Sequence, residues 1–134
     1  MKKLSESLPV FVCLIICAAL AACGAQGVNP VTLTQKDAGT TVHVKQGANV
    51  NIRLEGNPTT GYTWEVAPGG SSVLEQQGEP AFKPDSSAVG SGGMVTLQFK
   101  AAQAGTINLK LIYHRTFEPN VAPLHTFEVT IMVE

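Results

Sequence analysis

Cysteine is scarce and placed where it cannot brace a fold: Cys13, Cys17 and Cys23 are the chain's three, and no thiol follows them. Whatever folds beyond residue 23 is held by packing rather than by disulfides. Charge is also sparse, at 14% of residues, with no basic run and no clustering of arginine with aromatic rings. Nucleic acid is therefore not an expected partner. The three histidines, His43, His114 and His125, lie far apart, and no His-x-x-x-His or paired-cysteine spacing occurs. No metal or cofactor is expected, and the histidines read as isolated structural or surface residues. There is no Gly-x-Ser-x-Gly elbow and no set of nucleophile, base and orienting group, so an enzyme is not expected. No segment keeps a helical period for three turns, and no unit of 20 to 50 residues recurs, which argues against a solenoid or propeller.

The one long apolar run lies at the start. Met1, Lys2 and Lys3 form a short positive stretch, and residues from Leu8 to Ala22 are apolar and small. That is the length of a signal-peptide core and too short to cross a bilayer comfortably. It ends in Leu20-Ala21-Ala22-Cys23-Gly24, which resembles the lipobox of bacterial lipoproteins, where the cysteine is lipidated and becomes the mature N-terminus. The expectation is a leader over 1–22, a lipidated Cys23 with a polar tether to residue 30, and a folded domain over 31–134. The protein is then exported and anchored in the cell envelope through lipid on Cys23. Ala25, in place of an acidic residue, fits sorting to an outer membrane where there are two. Removing 22 of the 134 residues leaves a length suited to one domain with one modest core. Lys2, Lys3 and Glu6 leave with the leader, so 7 of the 9 basic and 9 of the 10 acidic residues remain, a net of −2.

The remaining chain alternates. Val50, Ile52 and Leu54 are separated by Asn51 and Arg53; Tyr62, Trp64 and Val66 by Thr63 and Glu65; Val95, Leu97 and Phe99 by Thr96 and Gln98. Ile107, Leu109, Leu111 and Tyr113 continue the pattern, as do Phe127, Val129, Ile131 and Val133. Each set turns one apolar face inward. With Val31 to Thr34, Thr40 to Lys45 and a weaker Val73 to Gln76, about eight short strands are expected, divided by Gly, Pro, Asn and Ser turns. The pattern predicts an all-β antiparallel sandwich or barrel. The expected core is Val50, Ile52, Leu54, Trp64, Val66, Leu97, Phe99, Leu109, Leu111, Phe127, Val129 and Ile131.

Three loops exceed what such a fold requires. Between Leu54 and Tyr62 a hairpin needs little more than Asn-Gly, yet the chain runs Glu55-Gly56-Asn57-Pro58-Thr59-Thr60-Gly61. Pro58 fixes its own φ and keeps Asn57 extended, Thr59 and Thr60 are β-branched, and Gly61 permits a positive φ at the exit. From Asn57 to Thr63 no side chain is charged, so the loop can enter a cleft without desolvating an ion. The second loop, Ser86 to Gly93, is small and flexible in composition. The third, Tyr113-His114-Arg115-Thr116-Phe117-Glu118-Pro119, offers a cation and an exposed aromatic ring, types enriched at interfaces.

Asn57-Pro58-Thr59-Thr60-Gly61-Tyr62, followed by Trp64, a glycine-rich loop and an arginine-containing loop, resembles the chagasin family of cysteine-protease inhibitors. The resemblance covers nearly all of the mature chain. It implies an immunoglobulin-like sandwich with three loops at one end. The middle loop would sit over the catalytic cysteine and histidine of a papain-like protease while its neighbours grip the cleft walls. Carried over by position, Asn57, Pro58, Thr59, Thr60, Gly61 and Tyr62 form the wedge, with Thr60 nearest the catalytic pair. Gly90, Ser91, Gly92 and Gly93 form one flank, and Arg115, Thr116 and Phe117 the other. The implied inhibitor acts as a monomer, reversibly and competitively. One departure matters: the family's third loop usually reads Arg-Pro-Trp, where this chain has Arg115-Thr116-Phe117. The alternative is a non-inhibitory immunoglobulin-like module that binds an envelope protein or a glycan through the same loops.

Overall fold

The computed structural model describes residues 27–134. The leader and Cys23 lie outside the described residues. Nine strands follow in order: β1 (Val31–Thr34), β2 (Thr41–Val44), β3 (Asn49–Gly56), β4 (Thr63–Val66), β5 (Leu74–Gln76), β6 (Ala81–Pro84), β7 (Gly93–Ala101), β8 (Gly105–His114) and β9 (His125–Val133). They form two sheets. One runs β1-β3-β7-β5, with β6 also pairing β7 further along the same edge; the other runs β2-β9-β8-β4.

The all-β sandwich is as expected, with two corrections. The sheets are mixed, because β1 pairs β3 in parallel and β2 pairs β9 in parallel, while the five other pairings are antiparallel. Both parallel strands are edge strands. The strand absent from the expected eight is β6, whose Ala-Phe-Lys-Pro carries little alternation and ends in a residue without an N–H.

The faces between the sheets pack into one core. Phe127, Ile52, Leu54, Leu97, Leu111, Ile131, Val50 and Val129 are its largest fully buried side chains. Each contributes about 1.5–3 kcal/mol of burial free energy. Eleven of the twelve expected core residues are buried. Val66 is not: it is 37% exposed. It ends β4, an edge strand paired with β8 alone, and alternation in sequence does not report where the facing sheet stops.

The registers place the loops. Gly56, the last residue of β3, lies opposite Gly93, the first of β7. Thr63, the first of β4, lies opposite His114, the last of β8, while Tyr113 lies opposite His125 at the start of β9. The connections β3–β4, β6–β7 and β8–β9 therefore emerge together at one pole.

Candidate functional site

The β3–β4 connection is a capped single turn. Pro58 to Thr60 form a 3₁₀ turn, with Pro58 at its first position and Asn57 extended before it at φ −143°, ψ 89°. The Asn57 side-chain oxygen accepts from the Thr59 amide at 3.2 Å and the Thr59 hydroxyl at 2.5 Å. The Asn57 carbonyl accepts from the Thr60 amide at 3.1 Å and the Thr60 hydroxyl at 2.6 Å. Gly61 closes the turn, its amide donating to the Pro58 carbonyl at 3.0 Å from a left-handed φ of +81°. The expected positive φ is present. The threonine hydroxyls spend their protons inside the loop, so toward a partner they offer oxygen lone pairs and methyl groups.

This turn is bonded to the other two loops. The Asn57 side-chain amide donates to the Gly90 carbonyl of the β6–β7 loop at 3.0 Å. Arg115 of the β8–β9 loop donates through Nε to the Thr60 carbonyl at 3.1 Å. Its guanidinium carbon stands 4.5 Å from the Tyr62 ring centroid and 5.8 Å from that of Phe117. A hydrogen bond from a charged donor contributes about 1.5–3 kcal/mol, and an exposed cation–π contact about 0.5–1. Arg115 thus cross-links the wedge to its flank. The Phe117 ring lies alongside Gly61, where an added Cβ would come within 3.1 Å of it, yet the residue remains 68% exposed.

Beneath the loops lies an aromatic floor. Tyr113 is buried between Tyr62 at 5.3 Å and Trp64 at 5.0 Å, with the His125 ring 5.9 Å away. Its hydroxyl accepts from the Asn57 amide at 2.8 Å, and the Trp64 indole N–H donates to the Glu55 carbonyl at 2.9 Å. Two buried rings thereby fix both ends of the strand-to-wedge junction, satisfying polar atoms that would otherwise be stranded. Trp64 has its expected core role; Tyr113 as the support of Asn57 was not foreseen.

The second loop is more ordered than its composition suggests. Its turn is closed by Ser91 N to Ala88 O at 3.1 Å and Asp85 N to Gly92 O at 3.0 Å, and the Ser86 hydroxyl donates to that of Ser91 at 3.1 Å. Gly90 is exposed and Ser91 and Gly92 half-buried. Gly93, by contrast, is buried within β7, where a Cβ would overlap the Lys83 carbonyl. It serves the close approach of β6 and presents no surface. Val89, at the loop's apex and fully exposed, is the side chain that the loop offers instead. Beyond the exposed Thr116, the third loop adds Val121 and Leu124, 59% and 55% exposed, to the surface supplied by Phe117. Large apolar residues inside Gly/Ser or Pro/Asn loops were the available signal for all three.

From Asn57 to Thr63 the wedge carries no charge, its nearest cation is committed to Thr60 and the rings, and His114 is engaged with Glu65 at 2.9 Å. Among the described residues no three His, Cys, Asp or Glu side chains gather as metal ligands. The arrangement is a stiff, mostly uncharged projection flanked by apolar side chains.

Comparison with known proteins points the same way. The model of the chagasin family peptidase inhibitors, I42, matches residues 43–131. Amoebiasin-1 of Entamoeba histolytica is 33% identical over 109 residues, covering 78% of this chain and 100% of the relative. Chagasin of Trypanosoma cruzi is 33% identical over 101 residues, covering 72% and 88%. The solution structure of Amebosin, at 32% identity, superposes with a TM-score of 0.63 over 78% of this chain and 97% of that one. The crystal structure of EhICP2, a cysteine protease inhibitor from Entamoeba histolytica, shares the fold at 24% identity, with a TM-score of 0.66 over 79% and 96%.

Proposed function

Since the chain belongs to the chagasin family of peptidase inhibitors, we propose that it inhibits papain-like cysteine proteases by inserting the Asn57–Gly61 turn into the active-site cleft. The observation that carries this reading is the pair of bonds from Asn57 to Gly90 and from Arg115 to Thr60. They join three loops into one preformed surface, so little conformational entropy is lost on docking, on the order of 0.5–1.5 kcal/mol saved per side chain already fixed.

The turn blocks without reacting. It offers no nucleophile or electrophile, and a peptide bond inside a 3₁₀ turn closed by Gly61 is not in an extended, near-attack geometry. A protease that accepts it cannot readily cut it. Inhibition is accordingly reversible and competitive. Thr60, the last residue of the turn, stands closest to the catalytic pair, and Val89, Phe117 and the outer arm of the third loop meet the walls. We propose further that Cys23 carries lipid and tethers the exported domain to the envelope, as its lipobox suggests.

The deciding experiment is a residual-activity assay of residues 24–134 against papain and trypsin. Papain is inhibited in competition with substrate and recovers on dilution; trypsin is unaffected. Equal inhibition of trypsin, or stoichiometric cleavage near Thr60, would overturn the mechanism.

A further inference from the structure

The strand directions determine which way an anchored molecule faces. β1 runs parallel to β3, with Val31 opposite Val50, so the chain enters the sandwich at the level where β3 begins. β3 then crosses eight residues to Gly56, where the wedge starts. At about 3.3 Å per residue the entry point and the wedge are some 25 Å apart. Other contacts agree on the entry pole. Gly27, Val28 and Asn29 share a shallow hollow with His43, Lys45 and Ala48. The turn after β2 lies at that same end, with Gln46 N bonded to the Glu134 carbonyl and Gly47 N to the Ala101 carbonyl. All three loops of the candidate site occupy the other end.

We infer that the anchored protein stands with its entry pole toward the bilayer and its three loops facing the aqueous compartment, so that its target is a water-soluble protease arriving from solution. This rests on the proposed lipid at Cys23 and on the proposed inhibition. The eight residues from Cys23 to Val31 reach at most about 29 Å. Turning the loops down to the membrane would use nearly all of that reach to pass the length of the sandwich. Upright, the tether keeps slack, and the whole protease-binding surface stays clear of lipid headgroups.

The test uses residues 27–134, which contain the whole described core from Leu33 to Val133, with a hexahistidine tag in place of the chain before Gly27 so that the tether keeps about its natural length. The protein is held on vesicles containing nickel-chelating lipid. A donor dye is attached to the single thiol of either Lys45→Cys or Val89→Cys, with an acceptor dye on the lipid headgroups. Energy transfer is expected to be strong from position 45 and several-fold weaker from position 89. In parallel, the unlabelled protein should inhibit soluble papain with the same constant, within about twofold, on vesicles and off them. Equal or reversed transfer, or a tenfold loss of inhibition on vesicles, would overturn the inference. If the protein failed to inhibit papain even without vesicles, the inhibitor reading would fall, while the dye comparison would still decide the orientation.

Discussion

At the scale of single residues the wedge depends on Gly61 and Asn57 for different reasons. A side chain at φ +81° costs roughly 1–2 kcal/mol, more when β-branched, and a Cβ at Gly61 also meets the Phe117 ring at 3.1 Å. Gly61→Val should therefore raise the papain inhibition constant at least tenfold, with a modest fall in melting temperature because the core is untouched. A variant that folds normally and inhibits like the parent would show that the wedge is misassigned. Asn57→Ala removes the cap of the turn and the tie to Gly90 together, an expected loss of about 1–2 kcal/mol that splits between stability and binding. Phe117 tests the flank. Its ring both touches its neighbour and remains mostly exposed, so Phe117→Ala should cost about 1–3 kcal/mol in affinity and little in melting temperature. Phe117→Trp should hold or improve binding, since the larger ring extends the same contact. The inward turn of the Thr59 and Thr60 hydroxyls was not legible in the sequence, where β-branching and absence of charge were visible but hydrogen-bond direction was not.

At the scale of elements, alternation carried most of the reading, and its failures have physical causes. Long central strands buried on one face, such as β3, β7 and β9, announce themselves with period two. Edge pieces do not: β6 is short and proline-terminated, and Val66 ends its strand beyond the cover of the facing sheet. Parallel pairing of β1 and β2 depends on partners distant in sequence, and no local signal encodes it. The same holds for the ties between loops, which join residues 33 and 55 positions apart. Gly93 shows how a loop-like composition can hide a packing requirement. Gly93→Ala should force β6 away from β7, because the new methyl would overlap the Lys83 carbonyl and the Pro84 backbone. The expected outcome is a melting temperature lower by several degrees, with faster amide exchange in Ala81–Pro84, as for an overpacked core site costing about 1–3 kcal/mol. Unchanged exchange there would mean that the sheet edge adapts and that Gly93 is not a packing residue. Elsewhere in the sheets, the Lys110 ammonium, hydrogen-bonded to Glu128 at 2.8 Å across β8 and β9, holds that carboxyl below its usual range. Its contribution is present at neutral pH and disappears as acid protonates Glu128; because the pair is exposed, the effect on melting is small.

At the scale of the whole molecule, the proposed anchor and the proposed protease-binding loops belong to opposite ends. Every residue assigned to protease contact stems from the ends of β3, β4, β7 and β8, whereas the chain arrives beside the start of β3. The core between them is closed by packing alone, as the position of all three cysteines ahead of residue 24 required. Anchoring and inhibition should therefore separate cleanly by mutation. Cys23→Ser in the full chain removes the thiol to which lipid would attach but leaves untouched the buried residues and the three tied loops. In membrane fractionation of a bacterial host, the parent should incorporate labelled fatty acid and sediment with the envelope, whereas Cys23→Ser should lose the label. Purified Cys23→Ser protein should nevertheless inhibit papain with the parent's constant, because no element of the site depends on the chain before residue 27 among the contacts described. Continued fatty-acid incorporation by the mutant would reject the lipobox reading. Loss of inhibition with an unchanged melting temperature would show that the leader end reaches the binding loops after all, which the parallel course of β1 and β3 argues against.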